Sequence, residues 1–395
     1  MLASRAKRLA ATLYVYSFLD DLVLLYPVYA VLFTDAGLSV PEVSSLYVIW
    51  SATGIVLEVP SGVWADAVSR RLLLAGAPLL TAVGFALWVF VGTYWAFAAG
   101  FVLWGAQGAL QSGSMEALVY EELERLDAGG RYVKVMGRAR TAGFCGVMLA
   151  IAAAGPVFAV GGYLAVGVAS VVTCVLTAAA GLAFTEHRES APEAVDESPG
   201  YESPGYVATL RAGLAEARGA RSVRRLLLMV PALAAIWGGL EEYDSLLAVD
   251  TGVGVENVPW LMLLLWVGVT VGGLLASAGK RLSTKMFSGI LMVAAVALAA
   301  GALSGRAAGF VLIAVAFCAF QMASVVVDAR LQETITGPSR ATVTSLAGLG
   351  TDVATVLVYG AYAAGSALSL ANSTIFALFA VPYAVIAIWL ARGTR

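Results

Sequence analysis

Between Leu9 and Ala391 the chain returns twelve times to an apolar run of about 20 residues, the length that carries an α-helix across a hydrocarbon core. The runs lie near 9–33, 43–65, 72–92, 95–118, 138–159, 162–184, 226–248, 258–278, 287–303, 307–328, 341–363 and 370–391. Some breaks between them are very short, such as Gly92-Thr93-Tyr94 and Val160-Gly161. A soluble domain has no use for so many: the 395 residues are 60% hydrophobic and only 13% charged, about half the charge of an average soluble chain. In lipid each backbone N–H and C=O must be satisfied within its own segment, so runs of this length predict helices. The expected fold is an all-α integral membrane protein with twelve transmembrane helices.

Charge placement tests that count, because cytoplasmic loops hold Lys and Arg. With the N-terminus (Arg5, Lys7, Arg8) inside and twelve alternating spans, all 24 Lys and Arg except Arg306 fall on the cytoplasmic side. Both termini are then cytoplasmic. The net charge of −2 says nothing of partners, since the charges are sorted across a membrane. The N-terminus is basic and then apolar, like a secretory signal, but its run is too long and lacks a small-residue cleavage site, so it reads as an uncleaved first span. Cys145, Cys174 and Cys318 lie within the runs without Cys-x-x-Cys spacing. They predict packing residues, with no disulfide framework and no metal.

The longest polar segment, 185–225, separates an N-terminal six-helix bundle (1–184) from a C-terminal one (226–395). It opens acidic, with the duplication ESPGYESPGY at 197–206, and then becomes basic. There Leu210, Leu214 and Ala217 recur at helical spacing among Arg211, Arg218 and Arg221, which leaves open a helix on the inner membrane surface or a solvated connector. Six spans on each side invite a search for an internal repeat. Asp35-Ala-Gly-Leu-Ser-Val finds Asp250-Thr-Gly-Val-Gly-Val, Ser69-Arg70-Arg71 finds Ser283-Thr284-Lys285, and Glu116-Ala117-x-x-x-Glu121 finds Asp328-Ala329-x-x-x-Glu333. Three matches in order at nearly one offset predict two pseudo-symmetric halves. Arg138-Ala139 and Arg340-Ala341 also correspond after a shortened loop.

The loop after the second run reads Gly62-x-x-x-Asp66-x-x-Ser69-Arg70-Arg71. It resembles the signature loop of the major facilitator superfamily, Gly-x-x-x-Asp-x-x-Gly-Arg-Arg/Lys, with Ser69 where the family has Gly. Glu58-x-Pro60-Ser61 and the Gly-Leu-Ser at 37–39 are similar to bacterial members. The resemblance spans the chain in run number, half-duplication and loop placement, and implies the major facilitator fold in a bacterial cytoplasmic membrane. Gly62 and Ala65 leave room for a close helix. Asp66 is suited to accept from the free N–H groups of a helix starting in the inner leaflet, which the resemblance implies is span eleven, near Ser339 to Thr342. The second-half loop, Gly279-Lys280-Arg281, has no acid, so such a latch is asymmetric. Topology alone is the other reading of Arg70 and Arg71.

An ionisable residue deep in a span costs about 2.5 kcal/mol or more and marks a functional candidate. Asp20, Asp21 and Asp352 lie near the midplane of spans one and eleven; Glu241, Glu242 and Asp244 lie in the outer half of span seven, whose helix has the option of ending early. Glu58 sits above the inner boundary. No Lys or Arg occupies the middle of a run, which disfavours an anionic substrate and leaves protons, lipophilic cations and neutral molecules. Proton carriage is predicted for Asp20, Asp21, Asp352 or Glu241, with structural hydrogen bonding as the alternative for each. Glu116 with Arg138 or Arg140, and Asp328 with Arg340, are expected to pair across inner helix ends as a gate. Tyr14, Tyr16, Trp104, Gln107, Gln111, Trp237 and Gln321 occur in spans one, four, seven and ten, the cavity-facing spans by the resemblance; Trp95 and Trp260 sit near outer loops. Gly146, Gly155-Pro156 and Gly161-Gly162 form a loosened version of the glycine-proline motif of drug/proton antiporters.

Two transport functions follow. One is proton-coupled export of a lipophilic neutral or cationic small molecule by alternating access; the other is a facilitator or proton symporter importing a neutral nutrient. An enzyme finds little support, because the lone histidine, His187, lies in the linker and no HExxH, GxSxG or phosphate-binding Gly-rich loop occurs. An ATP-driven pump needs a partner to supply its ATPase. The expected partners are a small-molecule substrate, protons and the bilayer, with no cofactor and no nucleic acid, and the expected state is a monomer.

Overall fold

The computed structural model describes residues 2–187, 221–335 and 340–392, with backbone alone for 2–4, 59, 62–67, 221 and 340–342. The turn-rich duplication and the amphipathic stretch of the linker lie outside the described residues. Each of the twelve apolar runs is helical over most of its length. Among the described residues nine helices are long and apolar enough to cross a membrane; the longest, Gly129–Leu182, contains two of the expected runs.

The chain divides into two compact units, Met1–Glu189 with Val253–Leu263, and Ser190–Gly252 with Leu264–Arg395. The first begins with α1 (Leu2–Asp20), which stops at an acid pair; Asp21 to Val28 are non-helical, and α2 (Tyr29–Asp35) completes the run. Asp21 beside Asp20 and the restriction that Pro27 places on Tyr26 explain the break. Next come α3 (Val40–Ala67), α4 (Arg70–Phe90), α5 (Tyr94–Gln111) and α6 (Ser114–Arg125). The expected continuous run at 95–118 is therefore two helices, because Gly113 turns the backbone to φ 64° between them. The first unit closes with α7 (Tyr132–Leu182), whose two limbs meet at Gly161 and Gly162 (φ 58°, ψ −151°), a conformation that needs glycine. This is the expected break between runs five and six, one residue on. α7 packs along α1 and α4, and α5 lies against α3 and α4.

The second unit repeats the plan with α8 (Arg221–Glu241), α9 (Asp244–Asp250), α10 (Val258–Gly279), α11 (Thr284–Leu303), α12 (Gly309–Thr334), α13 (Arg340–Ala367), α14 (Asn372–Leu378) and α15 (Ala380–Arg392). α11 packs on α12 and α15, and α8 on α12 and α13. The run at 226–248 breaks at Glu242-Tyr243, again after an acid at a helix end.

The repeats found in sequence have physical counterparts. Ser69 and Ser283 are N-caps with extended backbone, each accepting from the N–H three residues on, Leu72 at 3.2 Å and Met286 at 3.3 Å. Ser69 has φ −60°, so the glycine turn of the family pattern is not required here. After α2 and α9, Gly37 (φ 97°) and Gly252 (φ 83°) reverse the chain. Asp35 Oδ2 accepts from the Tyr163 hydroxyl at 2.6 Å, and Asp250 Oδ2 from Asn372 Nδ2 at 2.8 Å, so each of these turns is tied to the start of its own unit's last run.

Gly37→Ala is expected to destabilise the first unit by about 1 kcal/mol, since its φ suits only glycine. Gly76→Ala, mid-helix with open space around the added methyl, is expected to stabilise by a few tenths to about 1 kcal/mol. Thermal unfolding in detergent should show midpoint shifts of opposite sign.

Candidate functional site

The centre of the first unit is a hydrogen-bond network on the break in its first helix. Asp20, the last residue of α1, accepts at Oδ1 from Gln107 Nε2 and Gln111 Nε2, both at 3.0 Å. Gln107 Oε1 in turn accepts from the Thr81 hydroxyl. Gln111 Nε2 also reaches the Tyr16 oxygen at 2.7 Å, and the Tyr16 hydroxyl donates to the Leu74 carbonyl at 2.9 Å. Tyr16 sits one turn before Asp20, and Gln107 and Gln111 one turn apart on α5, so helix spacing alone aligns the donors with the acid. Neither Asp20 nor Asp21 has a Lys or Arg partner among the described residues.

Asp21 turns toward α7. A Cβ on Gly143 would collide with Asp21 Oδ2, and one on Gly146 with the Phe18 carbonyl, so two missing side chains let α7 approach the broken end of α1. Further along the break, the Leu25 N–H donates to Ser170 Oγ on α7 at 3.0 Å.

One turn along α5 from Gln107, Trp104 lies between two aromatic faces. Trp50 stacks on it at 4.6 Å between centroids and 22° between planes, Tyr26 at 5.5 Å and 12°. All three rings are half-buried. Tyr26 belongs to the non-helical stretch that follows Asp20, so the break supplies both the acid and one plate of the stack. Trp50 and Tyr26 escape a sequence reading, because aromatic residues in spans are mostly packing or interface residues.

The second unit gathers its acids at the corresponding break. Glu241 and Glu242 are half-buried at the end of α8, while Asp244 opens α9 with 1% exposure. Its Oδ1 has no hydrogen-bond partner among the described residues. Tyr243, between them, stacks on Tyr362 at 3.6 Å and 9°. The early helix end is real, yet the following helix covers Asp244 instead of exposing it. Asp352 lies on an exposed face of α13, two turns before Tyr359.

Other candidates lie elsewhere. Tyr14 packs among the apolar residues around Leu9 and Leu13, outside the network. Trp237 Nε1 donates to Ser324 Oγ at 3.4 Å, and Gln321 is half-buried without a hydrogen bond among the described residues. Glu58 is exposed on α3. The side chains of Asp66 and Arg340 and the surroundings of Gly62 are outside the described set, and the proposed latch with them.

The ion pairs among the described residues fall on residues other than those expected for a gate. Glu116, Arg138 and Arg140 are exposed and make no ion pair with one another, because the turn at Gly113 puts Glu116 in the first turn of a separate helix. Asp328 is exposed. Arg70 Nη1 pairs with Glu121, and Lys280 Nζ with Glu333 at 2.8 Å. Each pair ties a cation near the start of the third run to an acid in a helix, Glu121 in α6 and Glu333 near the end of α12, and these are the second acids of the sequence repeat. Arg71 Nε donates to the Leu182 carbonyl at 3.0 Å, and Glu186 accepts from the Ser69 hydroxyl and from the N–H groups of Arg70 (2.9 Å) and Arg71 (3.1 Å).

Three comparisons place this architecture. No curated protein sequence matches the chain. Among solved structures it is similar to the D323A mutant of the nucleoside transporter NupG, at 14% identity and TM-score 0.75 over 97% of this chain and 99% of that one. It is also similar to a bacterial homologue of the human lysosomal transporter Spinster in an inward-facing, occupied conformation (16%, 0.69, 99% and 97%) and to a bacterial homologue of the iron transporter ferroportin in the inward-facing state (13%, 0.69, 99% and 99%). At such identities the likeness is one of fold. The family model of the Major Facilitator Superfamily matches residues 11–359, nearly the whole helical extent, and the chain belongs to that superfamily of membrane transporters.

Proposed function

We propose that this transporter works by alternating access and exports a lipophilic neutral or cationic small molecule in exchange for protons. The observation that carries the reading is Asp20: a carboxylate at a helix break, held by two neutral amides and, among the described residues, by no basic side chain. A carboxyl group that is wetted in one state and dried in the other releases and takes up a proton, and a swing of two pKa units is worth about 2.7 kcal/mol. A difference of that size is enough to bias a two-state equilibrium. The Trp50–Trp104–Tyr26 stack, one turn along α5 from Gln107, supports an apolar or cationic substrate, since aromatic faces attract cations and anions gain nothing from them. Asp21, Glu241 and Asp352 are further proton candidates, each near or at a break or on an exposed helix face. The bilayer is taken as the bacterial cytoplasmic membrane, with both termini on the cytoplasmic side and the protein acting as a monomer.

One feature favours the second reading, import of a neutral nutrient. The amides of Gln107 and Gln111 are donors that a hydroxyl-bearing solute would exchange for its own hydrogen bonds.

Asp20→Asn separates the roles cleanly, because both amides donate to Oδ1 and asparagine keeps that acceptor while losing the titration. In proteoliposomes the variant is expected to abolish accumulation driven by a pH gradient and to leave exchange between equal compartments measurable. Full gradient-driven accumulation in Asp20→Asn, Asp21→Asn, Glu241→Gln and Asp352→Asn alike would remove proton coupling by these acids. Inward accumulation of a neutral solute on an inward proton gradient would select the importer instead.

Gln107→Leu is expected to cost about 1–3 kcal/mol of stability, since it strands the buried Thr81 hydroxyl and removes a donor from Asp20. Gln321→Leu, with no bond to lose, should change the unfolding midpoint little.

A further inference from the structure

An open cavity of about 270 Å³ lies at the opposite end of α1 from Asp20. Arg5, Arg8 and Thr12 of α1 line it at helical spacing, and Thr185, just past α7, faces them. Leu9 and Phe184, 4% and 2% exposed, give it an apolar floor.

Its one acid is already engaged. Glu122 Oε1 accepts from the His187 backbone N–H at 2.8 Å, and Oε2 lies 3.0 Å from His187 Nδ1; Arg125 Nη1 donates to the His187 carbonyl at 3.0 Å. Together with Glu186 on the first turn of α4, these bonds strap Thr185 to His187 across the cavity rim. By contrast, Arg5, Arg8, Thr12 and Thr185 make no hydrogen bond or ion pair among the described residues. Arg5, Arg8 and Thr185 are exposed and Thr12 is half-buried, so two guanidinium groups and two hydroxyls border one open cavity with water as their present partner.

A carboxylate satisfies one fork; two forks plus hydroxyls call for an anion with several acceptor oxygens around one centre. We propose that this cavity binds a phosphate group, carried by a phospholipid headgroup or by a soluble phosphate ester, and that the bound group ties α1 to α6 and to the strap at Thr185–His187. The apolar floor, next to a membrane-spanning helix, suits the glycerol and first acyl carbons of a lipid.

The test uses the full chain. Nanodiscs of phosphatidylcholine doped with phosphatidylglycerol measure lipid retention by native mass spectrometry, and glycerol 3-phosphate and inorganic phosphate are titrated by thermal shift in detergent. The double variant Arg5→Gln, Arg8→Gln is expected to weaken retention of phosphatidylglycerol, or binding of the soluble ester, by about tenfold. Arg131→Gln with Lys134→Gln, which removes equal charge from exposed positions of the same unit, is expected to change it less than about twofold. The arm that responds identifies the source of the phosphate. Equal losses in both double variants, or none in the first, would overturn the site. Should the arginine variant fail to fold, Thr12→Val keeps every charge and is expected to weaken binding about threefold; unchanged binding there overturns the proposal.

Discussion

A helix that stops inside a hydrocarbon layer leaves backbone donors and acceptors that lipid cannot satisfy, at several kcal/mol each. The rest of this structure depends on how that constraint is met at Asp21 to Val28. Asp21, Leu22, Tyr26 and Val28 donate to carbonyls three or four residues back, and Leu25 donates to a hydroxyl on α7. That last bond requires α7 to be close, and α7 can be close because Gly143 and Gly146 carry no side chains. The break, the glycine pair and Ser170 are thus one device, and its product is an acid at the end of α1, held by amides of the helix that also carries Trp104. Irregular backbone within a hydrocarbon layer is tolerated where it is covered by protein or lines a cavity, which is why it marks candidate sites.

The duplication extends from sequence to contacts. Each unit has an acid-bearing break in its first run, a glycine turn after the following short helix, an aspartate tied to its last run, a serine N-cap on its third run, and an ion pair between a cation near the start of that run and the second acid of the sequence repeat. The halves differ where function would separate them. The first break spans eight residues, Asp21 to Val28, and satisfies its acid with amides; the second spans only Glu242-Tyr243 and leaves Asp244 Oδ1 without a partner among the described residues.

Much of this was legible in sequence because it rests on local rules. Apolar runs located the helices, and the recurring Asp-x-Gly, together with Ser69-Arg70-Arg71 and its counterpart Ser283-Thr284-Lys285, located the turns and caps that the structure forms. Tyr16, Gln107 and Gln111 were legible as a group because polar residues within spans are few and their spacing is helical. What escaped depends on tertiary context. Nothing in Tyr26 or Trp50 distinguishes a plate of a stack from an ordinary membrane aromatic. Glu116 is spaced to meet Arg138 or Arg140 only in a continuous helix, and the left-handed glycine at Gly113 redirects the chain, while Glu121 pairs with Arg70. Gly113 was visible in the sequence, but glycine is common in spans, and its φ is fixed only by the packing of α6 on the first unit.

The same reasoning explains why α1 has polar chemistry at both ends and apolar packing between. Leu9, Leu13 and Tyr16 bury its middle against α6, α7 and Leu74, fixing its position sideways. Its ends cannot be fixed that way: one reaches the basic mouth around Arg5 and Arg8, and the other stops in the apolar layer at Asp20. The two ends are therefore satisfied differently, the acid by amides of α5 and the exposed cations by solvent.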